Sequence, residues 1–192
     1  MLTLVTGGAR SGKSGFAERL VMHEHREAVY IATGQAYDSE MQERIALHRQ
    51  ERESSGFAWT TIEEPLELGG LLRRDMWEAA SAVLVDCLTL WLSNRLLRAE
   101  HEADIDELLQ REISELVETA AAFPGRLTLV TNEVGSGIVP EYKLGRQYRD
   151  YAGRLNRLMA ERAERVFLVT AGIPVELKSM QYRFPDRNGG RL

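Results

Sequence analysis

The chain has 192 residues, of which 44% are hydrophobic and 28% charged, and these values are typical of a globular domain with a substantial core. Its net charge of −5 does not provide the basic surface that nucleic-acid binding requires, so we expect no nucleic-acid partner. The longest apolar run, residues 81–92, contains Asp86 and is too short to span a bilayer. A single cysteine and an N-terminus without a charged leader favour a cytoplasmic protein.

Short apolar runs alternate with longer amphipathic segments along the chain, a pattern typical of parallel strands connected by helices. The predicted strands are 2–6, 28–32, 59–63, 82–86, 127–131 and 166–170. The predicted helices cover residues 13–24, 39–53, 66–79, 88–98, 103–122 and 142–164. With no Pro/Gly/Ser-rich linker, the pattern predicts one three-layer α/β domain over residues 1–178, followed by a loose tail at 179–192.

A glycine-rich motif, GGARSGKS, follows the first predicted strand and opens the first predicted helix. It satisfies the P-loop pattern G-x-x-x-x-G-K-[ST], in which backbone N–H groups surround phosphate oxygens. We expect Lys13 on the β- and γ-phosphates and Ser14 on Mg²⁺. The predicted nucleotide-binding loop comprises Gly7, Gly8, Ala9, Arg10, Ser11, Gly12, Lys13 and Ser14. The structural alternative is a glycine-rich turn with a solvated lysine.

A P-loop enzyme holds its metal with a second acidic residue, commonly at the end of another apolar strand. Asp86 ends such a run, so Ser14 and Asp86 are the predicted Mg²⁺ ligands. The alternative for Asp86 is a cap on the helix that follows it. Cys87, directly after this strand, is interpreted as an inert core residue. Since ligands of parallel sheets gather at the carboxyl ends of the strands, the P-loop and Asp86 are expected to meet.

The predicted helix over residues 39–53 places His48 on the same stripe as the apolar Ile45. From spacing alone, His48 is a half-buried residue at the edge of a packed face. Arg49 and Arg52 beside it would attract anionic phosphate to this helix. A neutral imidazole next to such arginines is chemically suited to attack phosphorus, so a nucleophilic role stands beside the structural one.

Five stretches, in this order, resemble the bifunctional adenosylcobinamide kinase / adenosylcobinamide-phosphate guanylyltransferase family of cobalamin biosynthesis. They are LVTGGARSGKS, YIATGQAYDSEMQERIALHRQER, WTTIEEP, VLVDCLTLWLSN and VTNEVGSGIVPEYKLGRQYRDYAGRLNRLMAE. The resemblance runs from about residue 2 to 178, with family-like spacing. The fold that we expect is an α/β, RecA-like P-loop NTPase with a mostly parallel central sheet and helices on both faces.

The resemblance implies two reactions at one nucleotide site. ATP or GTP phosphorylates adenosylcobinamide at its aminopropanol hydroxyl. GMP then passes from GTP to adenosylcobinamide phosphate through a covalent GMP–histidine intermediate, which gives adenosylcobinamide-GDP. The resemblance also implies Mg²⁺ as the cofactor and a homotrimer with active sites near subunit contacts.

Carried over residue by residue, the resemblance identifies His48 as the guanylylated histidine, with Lys13 as the other catalytic residue. It assigns further nucleotide contacts to Ala32, Thr33, Gly34, Arg49, Gln50, Glu51, Arg52, Glu63 and Asp86. Two other functions stay open on the sequence. One is a P-loop small-molecule kinase in which His48 is structural, and the other is a nucleotide-switched binding module without turnover.

Residues 131–141 follow the fifth predicted strand, and their glycines are typical of a binding loop. Asn132 and Glu133 begin this segment and are expected within reach of the P-loop, with a structural turn as the alternative. The helix after the loop carries basic residues that would contact either the corrinoid phosphate or a neighbouring subunit. They are Lys143, Arg146, Arg149 and Arg154.

Overall fold

A seven-stranded sheet forms the centre of the computed structural model, which describes residues 1–36, 39–79, 81–102 and 104–183. Its strands are β1 Leu2–Gly7, β2 Glu27–Ala32, β3 Ala58–Glu63, β4 Ala82–Asp86, β5 Arg126–Val130, β6 Arg165–Thr170 and β7 Ile173–Glu176. They are arranged in the order β3-β2-β4-β5-β1-β6-β7. All neighbours pair in parallel except β6 and β7, which are antiparallel. Most of the tail predicted at 179–192 lies outside the described residues.

The helices are α1 Lys13–Glu24, α2 Ser39–Ser54, α3 Leu68–Leu72, α4 Leu88–Arg98, α5 Ile105–Ala121 and α6 Lys143–Arg162. The helix predicted over residues 66–79 was too long. Gly69 and Gly70 weaken helix propensity there, and the Trp77 indole donates to the Leu71 carbonyl at 2.8 Å, turning the chain back. Within the described residues, no helix is long and apolar enough to cross a membrane.

The sheet order confirms the predicted RecA-like P-loop class. β5 lies between β1, which leads into the P-loop, and β4, which ends at Asp86. These three strands are covered on both faces, which explains why each reads as a continuous apolar run. One part of the core packs beneath α3 to α6, and another packs beneath α1 on the opposite face.

Strand β7 was missed because its sequence lacks a continuous apolar run. A turn with positive φ at Ala171 (51°) and Gly172 (80°) reverses the chain after β6. The Glu176 carboxylate then accepts backbone N–H groups of Val166 at 3.0 Å and Ser179 at 2.6 Å. These hydrogen bonds, with that from Val166 the largest cause, lower the pKa of Glu176 to about 2. A half-buried carboxylate therefore holds this edge strand against β6.

Candidate active site

The P-loop occupies the turn between β1 and α1. Gly12 has φ of 90°, a value that favours glycine, and α1 begins at the next residue, Lys13. A Cβ on Gly7 would lie 2.4 Å from the Val169 carbonyl oxygen, so this position admits only glycine without a backbone shift. The N-terminus of α1 has no side-chain cap, which leaves backbone N–H groups to bind an anion.

Hydrogen bonds from neighbouring segments and within the loop hold the P-loop in shape. The Gly172 N–H donates to the Ser11 carbonyl at 2.9 Å, and the Glu133 N–H donates to the Gly7 carbonyl at 3.0 Å. Within the loop, Lys13 Nζ donates to the Gly8 carbonyl at 3.2 Å. The turn between β6 and β7 thus supports the phosphate loop, a contact that no short sequence motif indicates.

Asp86 lies at the carboxyl end of β4, in register with Ala32 of β2. Its Oδ2 accepts a hydrogen bond from the Tyr30 hydroxyl at 3.2 Å. Asp86 lines a cavity of about 130 Å³ together with Lys13 and Ser14. The carboxylate and the hydroxyl are hard oxygen donors, and two such protein ligands with substrate phosphates are the usual surroundings of Mg²⁺. The residues present therefore fit this ion.

His48 extends from α2 into the same cavity as Lys13, Ser14 and Asp86. It also borders a second, more open cavity along the outer side of P-loop residues 10–15. Its side chain is 38% exposed, and Nδ1 lies 3.2 Å from Oε2 of Glu51. A carboxylate at Nδ1 favours the tautomer in which Nδ1 carries the proton, so the lone pair is on Nε2. His48 is thus half-buried, as its spacing predicted, and it forms part of the wall of a cavity.

The other predicted nucleotide contacts divide into two groups. Ala32 and Gly34 line the cavity with His48. The Thr33 hydroxyl is instead buried between strands, where it donates to the Cys87 carbonyl at 2.7 Å and accepts its N–H at 2.8 Å. Glu63 is exposed at the end of β3, beside Ala32, and lies outside the lining of both cavities.

The four residues after His48 on α2 also differ from one another. Arg49, Gln50 and Glu51 are exposed, whereas Arg52 is buried and lines the cavity. The Arg52 guanidinium lies against the ring of Tyr30 and near Glu18 of α1. Tyr30 begins one of the five stretches that carry the resemblance and Glu18 lies outside all of them, but the sequence assigned a role to neither residue.

Two acid groups near the cavity have shifted pKa values. Burial raises the pKa of Glu18 to about 7, an effect that the nearby Arg52 charge opposes. Burial also raises the pKa of the Cys87 thiol to about 11. Cys87 is therefore a protonated thiol at neutral pH, in agreement with its interpretation as an inert core residue.

The segment predicted as a binding loop begins beside the cavity. Asn132 lines the cavity, and its side-chain amide donates to Thr89 Oγ1 at 2.7 Å. The Glu133 carboxylate is exposed and accepts the Gly135 N–H at 3.1 Å. Of the basic residues on α6, Arg149 donates to the Gly135 carbonyl and Arg146 to the Pro140 carbonyl. These two arginines support the loop from α6.

The chain is similar to known proteins in sequence and in structure. The family model described as cobinamide kinase / cobinamide phosphate guanyltransferase matches residues 3–177. The bifunctional adenosylcobalamin biosynthesis protein CobP of Pseudomonas aeruginosa is 48% identical over 178 residues, which cover 93% of this chain and 98% of that protein. The bifunctional adenosylcobalamin biosynthesis protein CobU of Escherichia coli is 41% identical over 186 residues, which cover 93% of this chain and 100% of that protein. Among solved structures, P4 protein from bacteriophage phi6 in complex with ADP has a TM-score of 0.44 and 14% identity, over 91% of this chain and 53% of that chain.

Proposed function

The chain belongs to the cobinamide kinase / cobinamide phosphate guanyltransferase family, and we propose that it performs both reactions of adenosylcobalamin biosynthesis at the P-loop cavity. The first reaction phosphorylates adenosylcobinamide with ATP or GTP. The second transfers GMP from GTP to adenosylcobinamide phosphate through a covalent GMP–His48 intermediate. The observation that carries this proposal is the place of His48, which lines one cavity together with Lys13, Ser14 and Asp86.

In the kinase step, the aminopropanol hydroxyl attacks the γ-phosphorus, and the bond from that phosphorus to the β-phosphate oxygen breaks. Lys13 and the N–H groups at the start of α1 bind the phosphate oxygens on which negative charge develops. Ser14 and Asp86 would hold Mg²⁺, which supplies further charge neutralisation when bound. The hydroxyl proton passes to solvent water as the new phosphate ester forms, and the nucleoside diphosphate leaves with the electron pair of the broken bond.

In the transferase step, Nε2 of His48 attacks the α-phosphorus of GTP. A P–N bond forms, the α–β phosphoanhydride bond breaks, and pyrophosphate leaves with the electron pair. A phosphate oxygen of adenosylcobinamide phosphate then attacks the same phosphorus, and the P–N electron pair returns to Nε2. The covalent intermediate divides one difficult transfer into two easier ones. Glu51 beside Nδ1 favours the tautomer with the lone pair on Nε2, from which the first attack begins and which is restored when GMP leaves.

The residues that we propose as nucleotide contacts lie around His48. Ala32 and Gly34 line the cavity, and Arg49 and Glu51 are exposed on α2 beside the histidine. Gln50 is proposed with them. Thr33 contributes by joining the ends of β2 and β4, and Glu63 is proposed as a contact at the sheet edge. The role of Arg52, which is buried, is argued separately below.

The assembly and location that we propose follow from the resemblance. They are a cytoplasmic homotrimer whose active sites lie near subunit contacts, acting on small molecules without a nucleic-acid partner. Analytical ultracentrifugation of the purified protein tests the trimer, and a monomeric mass at micromolar concentration contradicts it.

A two-stage product assay tests the proposed function. Adenosylcobinamide is incubated first with ATP and then with GTP, and each corrinoid product is identified by mass. We expect His48→Ala to accumulate adenosylcobinamide phosphate without forming adenosylcobinamide-GDP. The exposed His101 provides the control variant His101→Ala, which we expect to form both products. Formation of adenosylcobinamide-GDP by His48→Ala contradicts the proposed role of this histidine.

A further inference from the structure

The described side chains of helix α2, which carries His48, bury very little surface. Among the side chains of α2 that the structure describes, only Arg52 is buried, with 6% of its surface exposed. Ile45 and His48 are half-buried, and Glu51 and Glu53 on either side of Arg52 are exposed. Of the described side chains of this helix, Arg52 therefore makes the most buried contacts with the rest of the protein.

The guanidinium of Arg52 lies between groups on two other elements. Its central carbon is 3.6 Å from the centre of the Tyr30 ring on β2. Its Nη1 lies 3.9 Å from Oε1 of Glu18 on α1. A desolvated cation is attracted to the face of an aromatic ring, and a buried charge needs a counter-charge close to it. Tyr30 therefore supports the buried guanidinium, and Glu18, whose pKa is raised to about 7, supplies a counter-charge that is partial at neutral pH.

The residues around the cavity form two levels one helical turn apart. On α1, Ser14 faces the cavity and Glu18 follows four positions later. On α2, His48 faces the cavity and Arg52 likewise follows four positions later. Residues four apart lie on the same face of a helix. The contact between Glu18 and Arg52 thus joins α1 and α2 one helical turn after Ser14 and His48.

Tyr30 joins this lower level to Asp86. Its ring supports Arg52, while its hydroxyl donates to Asp86 Oδ2 at 3.2 Å. One buried side chain contacts both the anchor of the histidine helix and the acidic residue proposed to hold the metal.

We propose that Arg52 is a positioning residue for guanylyl transfer, which docks α2 against α1 and β2 and thereby holds His48 over the P-loop. This inference rests on the proposed function of His48 and adds the means by which the histidine is held in place. Arg52 forms no bond with the nucleotide in this account, unlike the exposed Arg49 three positions before it.

The contacts that dock Arg52 are few. Among the described residues, Nε of Arg52 and Oε1 of Glu18 are buried without a hydrogen-bond partner. Stacking on Tyr30 and attraction to Glu18 therefore account for the docking, without a hydrogen-bond network to replace either one. Removal of the stacking partner is expected to have the same effect as removal of Arg52 itself.

The test compares Arg52→Met, Tyr30→Leu, the double variant and Tyr30→Phe, with the exposed Arg157→Met as control. Three quantities are measured: hydrogen exchange of the α2 amides, affinity for GTP, and the single-turnover rate of GMP-adduct formation at saturating GTP. Loss of the cation–ring contact is expected to lower the adduct rate and the α2 protection about tenfold, while GTP affinity changes little. The double variant is expected to match the worse single variant.

The remaining variants separate stacking from other effects. Tyr30→Phe keeps the ring, so α2 is expected to remain as protected as in the wild type. Arg52→Lys keeps the charge without the planar group, and we expect it to restore part of the adduct rate lost in Arg52→Met. Arg157→Met is expected to match the wild type in all three measurements.

Two results overturn the proposal. One is weakened GTP binding in Arg52→Met with unchanged α2 protection and a normal Tyr30→Leu variant, because Arg52 then contacts the nucleotide directly. The other is wild-type protection of α2 in both single variants. A wild-type protein that binds GTP but forms no adduct contradicts the proposed function. In that case, hydrogen exchange still decides whether Arg52 docks the helix.

Discussion

His48 and Glu51 lie one turn apart on α2, with Nδ1 of the imidazole 3.2 Å from Oε2 of the carboxylate. This contact orients the ring and directs Nε2 away from Glu51. We expect Glu51→Ala to slow GMP-adduct formation about tenfold, because the carboxylate beside Nδ1 holds the ring in the orientation for attack; this factor corresponds to about 1.4 kcal/mol in the barrier. Rapid-quench measurement of the adduct at saturating GTP gives this rate.

The control for this prediction is Glu53→Ala, which removes a carboxylate that is also exposed on α2 and pairs with Arg49 at 3.1 Å. It changes the charge of the helix equally but leaves His48 and its partner intact. Equal slowing in both variants would show that the charge of the helix, rather than orientation of the ring, is responsible.

Lys13 is expected to serve both reactions, since both use the phosphate-binding loop. Lys13→Ala should lower kcat/KM of the kinase and of the transferase by about 100-fold or more, because it removes a cation from the developing negative charge. Separate assays of phosphate-ester and adenosylcobinamide-GDP formation measure the two losses. Lys178→Ala, distant from the P-loop and bonded to the Glu161 carbonyl, is the control. A full kinase rate in Lys13→Ala contradicts the shared site.

Gly7 and Gly8 are adjacent, but a methyl group has very different surroundings at the two positions. At Gly7 it would lie 2.4 Å from the Val169 carbonyl oxygen, whereas at Gly8 there is no described atom within 4 Å. We expect Gly7→Ala to lower the free energy of unfolding by about 1–3 kcal/mol, and Gly8→Ala to leave it nearly unchanged. Urea denaturation measures both values, and equal stability of the two variants contradicts the close packing of β1 against β6.

Glu18 should make folding stability depend on pH. Its folded pKa is about 7, above the ordinary value of 4.5, mainly because burial disfavours the charged form. The folded state therefore binds this proton more tightly than the unfolded state. The contribution is fully present below pH 4.5 and is lost as the pH rises through about 7.

Glu18→Gln removes this titration, so the wild type should lose stability relative to the variant between pH 5 and pH 8. Arg52, Asp86, Glu51 and Arg19 also act on this carboxyl and remain present in the variant. Chemical denaturation at several pH values measures the difference, with the exposed Glu115→Gln as control. A difference that stays constant over this range contradicts a raised pKa at Glu18.

The parts of the fold that the sequence predicted are those with local causes. The P-loop, the apolar strands and the Asp86 position depend on patterns within a few residues, and they lie where they were expected. β7 depends instead on a reversal at Ala171 and on hydrogen bonds to Glu176, neither of which has an apolar pattern.

The candidate site was predictable only in part for the same reason. A motif or a resemblance identifies His48, Lys13 and Asp86. The contacts below them join Glu18, Tyr30 and Arg52, which come from three different elements. Only folding brings these three together, so a buried arginine could not be distinguished in the sequence from an exposed one beside it.

A covalent bond between His48 and GMP distinguishes the proposed transferase from a simple kinase. The intact mass of the purified protein after incubation with GTP and Mg²⁺, followed by peptide mapping, tests for this bond. We expect one acid-labile GMP adduct, on the peptide that contains His48. Demonstrated GTP binding without an adduct, or an adduct on another residue, contradicts it and makes His48 a structural residue of a P-loop kinase.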